Sequence, residues 1–141
     1  MYILRFGAIF LMICIASCKS EIESCDDMSG VLELIGSVYD FDLSDIREPL
    51  DVCELEAPSS ETILHEADRV YGQCPSLCAD EFVKFFSYYN GSLRFQEYFC
   101  DTIDDPGVEA AQEQFKRRIA NLRAIAETLD VCLGNNLKSA Q

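Results

Sequence analysis

The chain has 141 residues, enough for one compact domain, with 25 acidic residues against 11 basic ones and a net charge of −14 at pH 7. A surface this acidic repels phosphate backbones, which argues against a nucleic-acid partner. A single histidine, His65, accompanies eight cysteines, so a mixed Cys/His metal centre has almost nothing to draw on.

Residues 1–5 carry one positive charge on Arg5, residues 6–15 (FGAIFLMICI) are unbroken apolar, and Ala16-Ser17-Cys18 supplies small residues suited to a signal peptidase. The pattern predicts a signal peptide over 1–20. It is shorter than the roughly 20 apolar residues of a membrane span, and no later segment approaches that length, so no transmembrane segment is expected in the mature chain. Ile15-Ala16-Ser17-Cys18 also fits a bacterial lipobox, in which Cys18 would be lipidated and anchor the protein to a membrane surface. Both readings leave Cys25, Cys53, Cys74, Cys78, Cys100 and Cys132. An even set behind a secretory leader reads as three disulfides in an oxidising compartment, and hence as a secreted, extracellular protein. Six cysteines allow 15 pairings. The expected set is Cys25–Cys100, Cys53–Cys78 and Cys74–Cys132.

The mature part reads as all-α, a small disulfide-stapled bundle of four to six helices with a long C-terminal helix. Its single domain spans 21–134, ahead of a polar tail over 135–141. A first helix over 28–39 presents Val31, Leu32, Leu34, Ile35 and Val38 on one broad side. A second is expected over 44–55, with Ile46, Leu50 and Cys53 on one face and Pro49 inside it. After the Ala57-Pro58-Ser59-Ser60 loop, Ser60 is the expected N-cap of a third helix carrying Ile63, Leu64, Ala67, Val70, Tyr71 and Cys74. A fourth begins at Pro75 or Ser76, with Cys78, Phe82, Phe85, Phe86 and Tyr89 in one stripe, and Asn90-Gly91 is expected to stop it. Ser92 would then cap a short fifth helix through Leu93, Phe95, Phe99 and Cys100. In the last helix Asp105 is the N-cap, Pro106 the first residue and Gly134 the stop. Val108, Ala111, Phe115, Ile119, Leu122, Ala126, Leu129 and Leu133 recur between them in steps of three and four.

The charge is uneven. Residues 21–68 hold 15 acids and only Arg47 as a base, whereas residues 69–141 hold 10 acids and 8 bases. The acidic half is either a solvated surface or a docking face for a basic partner or cations. Asp40, Asp42, Asp45 and Asp51 only loosely match a calcium loop, because the positions needing Gly and Glu hold Asp45 and Asp51.

Eight aromatic rings lie between 82 and 99: Phe82, Phe85, Phe86, Tyr88, Tyr89, Phe95, Tyr98 and Phe99. They either build the core, with Tyr88 and Tyr98 most exposed, or line an apolar cavity or contact surface. Asn90-Gly91-Ser92 is an N-glycosylation sequon, and a turn there would expose Asn90.

Cys74 and Cys78 are separated by three residues, wider than the two-residue spacing of redox dithiols, and read as half-cystines. As third and fourth of six, they resemble in cysteine order the close pair of oomycete elicitins, sterol-binding helical proteins. The intervals, the length and the charge differ from that family. Lys116-Arg117-Arg118 could be a processing site, but its place inside the best helix reads as a charged face, with Glu113 to Arg117 and Arg123 to Glu127 as supporting pairs. His65 has no accompanying nucleophile signature, so the chain is not expected to be an enzyme, and no cofactor or metal is implied. The expected function is non-catalytic binding of an extracellular protein partner. A carrier of a small apolar ligand of the lipid or sterol class and a lipoprotein anchored through Cys18 are the alternatives.

Overall fold

The computed structural model describes residues 27–74 and 76–139. These residues form five helices and no strand: α1 (Ser29–Asp40), α2 (Pro49–Glu54), α3 (Ser60–Gln73), α4 (Ala79–Asp101) and α5 (Val108–Ser139). The fold is the all-α, disulfide-stapled bundle with a long C-terminal helix that the sequence predicts. The signal peptide expected over 1–20, with Cys14 and Cys18, and Cys25 lie outside the described residues.

The 32 residues of α5 span about 48 Å. It runs antiparallel to α4, since Cys78, the N-cap of α4, is bridged to Cys132 near the far end of α5. This pair forms the most extensive helix–helix interface. The α3 helix packs on α4, α1 packs on α5 and α3, and the short α2 lies against both α4 and α5. The core between them holds Val31, Leu34, Ile35 and Val38 of α1 with Ile63, Ala67 and Val70 of α3. Rings of α4 and the Phe115-to-Leu133 stripe of α5 complete it.

Local chemistry sets the helix starts. Pro49 does not sit inside α2 but opens it, because its fixed φ and missing N–H suit the first turn. The expected helix over 44–55 is correspondingly shorter. Asp51 closes a capping box, accepting from the Glu48 and Arg47 amides at 2.7 Å each. Those two backbone bonds hold its carboxyl below the usual carboxylate range. Ile46 and Val52 face the core, whereas Leu50, expected beside Ile46, is exposed. Ser59 rather than Ser60 caps α3, accepting from the Thr62 amide at 3.1 Å. Replacing it, Ser59→Ala, is expected to cost about 1 kcal/mol in urea unfolding, while Ser60→Ala should not lower stability.

Two expected helix boundaries are absent. Asn90-Gly91 does not end α4, which continues to Asp101 and absorbs the predicted fifth helix. Glycine in a helix interior costs only about 1 kcal/mol. The buried residues Ser92, Leu93 and Phe99 beyond it gain more than that from packing. The Ser92 hydroxyl donates to the Tyr88 carbonyl at 2.8 Å, a bond made inside a helix rather than at its start. At the other end, Gly134 does not close α5, and the helix runs on to Ser139 into the expected polar tail. The start of α5 is also later than expected. Asp105 and Pro106 fall in a turn, Gly107 takes a left-handed φ of 96°, and Val108 begins the helix.

Candidate functional site

The disulfide set differs from the expected one. Cys53 of α2 is bonded to Cys100 at the end of α4, and Cys78 to Cys132. Cys74 is also disulfide-bonded. The expected pairs Cys53–Cys78, Cys74–Cys132 and Cys25–Cys100 are therefore all wrong. The antiparallel hairpin explains this, since it brings the start of α4 to the end of α5 and leaves the end of α4 for α2. Half-cystines rather than thiols place the chain in an oxidising, extracellular-type environment. No described helix is long and apolar enough to cross a membrane.

The eight aromatic candidates divide. Phe82, Phe85, Phe86, Tyr89 and Phe99 are buried. Phe82 stacks on Phe86 at 5.9 Å, and Phe85 meets Phe86 and Tyr89 edge-on at 5.6 and 5.7 Å. These rings pack against one another in the core. Tyr88 and Phe95 are half-buried along the α4–α5 seam, and Tyr98 is 66% exposed. A shallow depression of about 230 Å³ lies elsewhere, between Leu55, Pro58, Ser60, Leu93 and Gln96. It falls below the roughly 300 Å³ at which ligand pockets begin. Gln96 occupies one wall, donating to the Val52 carbonyl at 2.7 Å and so satisfying the end of α2.

Asn90 is in the middle of α4 and half-buried, so the turn expected to present the sequon is not there. Its side-chain oxygen is buried with no hydrogen-bond partner. Leaving such a group unpaired costs roughly 1–3 kcal/mol. Asn90→Ala removes that cost and improves helix propensity, so non-glycosylated protein should become more stable by about 1 kcal/mol in chemical unfolding.

The acids of the first half are used locally or displayed. Asp42 accepts from the Ser44 amide at 2.8 Å, and the Ser44 side chain and amide hold its carboxyl below the usual range. Together with the Asp51 cap, this makes two of the calcium-loop acids turn and cap groups. At the end of α1, Tyr39 is 47% exposed. Partial burial, then the charges of Asp130 and Glu127 on α5, push its hydroxyl above the ordinary tyrosine value. Two acids of the second half of the chain thus act on a half-exposed ring of the first half. Sequence reasoning divided the acids at residue 68 and missed this, because only the α1–α5 packing brings Asp130 and Glu127 near Tyr39. His65 is exposed on α3.

The basic run of α5 also resolves. Lys116 pairs with Glu113 at 3.1 Å, in place of the expected Glu113–Arg117 pair. Arg123 points across to the Val38 carbonyl of α1 rather than along α5 to Glu127. Arg118 lies over the rings of Phe95 and Tyr88, at 5.1 and 5.8 Å from their centroids. The spacing of Tyr88 and Phe95 was visible in the sequence, but their partner on another helix was not.

No protein family, curated protein or solved structure matches this chain.

Proposed function

We propose that this is a secreted, non-catalytic binding protein that engages a basic partner protein in the extracellular space through the acidic surface around Tyr39. The observation that carries this reading is the half-exposed Tyr39 ring at the end of α1, which packs on α5 and lies within electrostatic reach of Asp130 and Glu127, with Asp40 next to it in the chain. Exposed aromatics anchor protein interfaces, and a carboxylate rim steers a basic surface toward them. The burial of five of the eight candidate rings weighs in the same direction, because it turns the aromatic segment into scaffold. Stapled helices keep such a surface preorganised, which lowers the entropy lost on binding.

The test has two parts. Intact mass of the protein released by its native host, before and after reduction and alkylation, should show a start at residues 19–21 and six cysteines that alkylate only after reduction. A diacylglycerol-type mass on Cys18 would instead make it a lipoprotein. Immobilised protein should then capture a basic protein from the same extracellular fluid and release it near 1 M salt, where the screening length falls to about 3 Å. A Tyr39→Ala/Glu127→Gln/Asp130→Asn variant should capture none. Equal capture by the folded variant would overturn the reading.

A further inference from the structure

The α4–α5 seam carries a second surface of opposite character, independent of the acidic one. Along α4, Lys84, Tyr88, Gly91 and Phe95 follow each other in steps of four, three and four, which puts them on one stripe. Along α5, Gln114, Arg118, Asn121 and Ile125 do the same. The two stripes meet. Arg118 lies over Phe95 and Tyr88, and the Asn121 side-chain amide donates to the Tyr88 hydroxyl at 3.2 Å. A Cβ built on Gly91 would come within 4.0 Å of Arg118 Nη1.

Neither stripe contains a carboxylate, in a chain that holds 25. The side-chain ion pairs among the described residues are Glu66–Arg69 and Glu113–Lys116, so Arg118 has no anionic partner there. It also makes no hydrogen bond to them. The two rings fix the position of the guanidinium without using its N–H donors. The absence of a side chain at Gly91 leaves one edge of the group uncovered.

We infer that Arg118, with Asn121 and the half-buried rings of Tyr88 and Phe95, forms a recognition site for a carboxylate set among apolar residues in a segment of a partner protein. A guanidinium held in place matches a carboxylate in plane and charge. Tyr88, Phe95 and Ile125, all half-buried, supply apolar contact around it. Polyanions such as sulfated glycans fit less well, because the mature chain, with 9 bases against 25 acids, repels them at long range. The seam offers one fixed cation and suits one carboxylate.

The experiment is an NMR titration of the intact, oxidised protein with acetyl-Leu-Glu-Leu-amide. It follows the Arg118 side-chain Nε–H and the Asn121 side-chain amide. Both signals should shift saturably with the Glu peptide, and binding of the acetyl-Leu-Gln-Leu-amide control should be at least about tenfold weaker. Arg118→Gln should abolish the response. Because Arg118→Gln also removes packing, Gly91→Glu provides the second variant. It places a carboxylate beside Nη1 and replaces a helical glycine, so it should raise the melting temperature and block the peptide. Equal binding of the Glu and Gln peptides, or unchanged Glu-peptide binding by folded Gly91→Glu protein, overturns the site. Inorganic phosphate or a heparin hexasaccharide binding the same residues more tightly than the Glu peptide overturns the assignment to a protein carboxylate.

Discussion

Removing the Cys78–Cys132 bridge is expected to cost about 4 kcal/mol, and removing Cys53–Cys100 a similar amount. The closed loops span sequence separations of 54 and 47 residues, so each bridge removes much the same freedom from the unfolded chain. Domains of this size are stable by roughly 5–15 kcal/mol, and either loss is a large part of that. The Cys78 bridge allows the cross-link to be separated from the backbone. Cys78 holds a left-handed conformation at φ 46°, which costs a residue with a Cβ about 1–2 kcal/mol. Urea unfolding should therefore show Cys78→Ala/Cys132→Ala losing about 1 kcal/mol more than Cys78→Gly/Cys132→Ala, since glycine adopts that conformation without strain. Equal losses would mean that residue 78 abandons the left-handed turn once the bridge is gone. A loss below about 1 kcal/mol in both would show that helix packing alone holds the hairpin. The same dependence on oxidation ties the fold to its compartment, because the reduced chain forfeits both contributions.

The elements that local periodicity controls were legible, and those set by tertiary packing were not. The stripe from Val108 to Leu133 repeats in threes and fours for seven turns, and α5 follows it. Its extension past Gly134 was hidden by a propensity rule worth only about 1 kcal/mol. The continuity of α4 was in fact written in the spacing of Phe82, Phe86, Tyr89, Leu93, Gln96 and Cys100, in alternating steps of four and three. Asn90-Gly91 is a local stop signal, and in α4 the stripe outweighs it. The disulfide pairing could not be read at all, since it depends on which helix ends meet. The same holds for both surfaces: Tyr39 gains Asp130 and Glu127, and Arg118 gains Tyr88 and Phe95, only when separate helices pack together. The helix packing that hides these relations from the sequence is also what holds the two groups in place.

Phe85→Ala should destabilise the protein by about 3–5 kcal/mol, whereas Tyr98→Ala should change stability by no more than about 0.5 kcal/mol. Phe85 is fully buried between Phe86 and Tyr89, so its removal leaves a cavity that its ring neighbours cannot fill. Tyr89 adds a polar check on the same packing. Ser37 donates to the Leu34 carbonyl at 2.7 Å, which leaves the Tyr89 hydroxyl as the donor in its 2.8 Å bond to Ser37 Oγ. Burial raises the Tyr89 hydroxyl above its ordinary value. The phenolate is therefore disfavoured in the fold. The stabilising contribution is complete below about pH 10 and is lost as pH rises through the folded value. Tyr89→Phe should cost about 1 kcal/mol at neutral pH, and the gap from wild type should narrow above pH 10 in unfolding followed by circular dichroism. The cavity also decides between scaffold and carrier. Wild-type protein should bind no benzene, because its rings already occupy the space, while folded Phe85→Ala protein should bind it as apolar cavities do. Saturable benzene uptake by the wild type would return Phe82, Phe85 and Phe86 to the role of a ligand chamber.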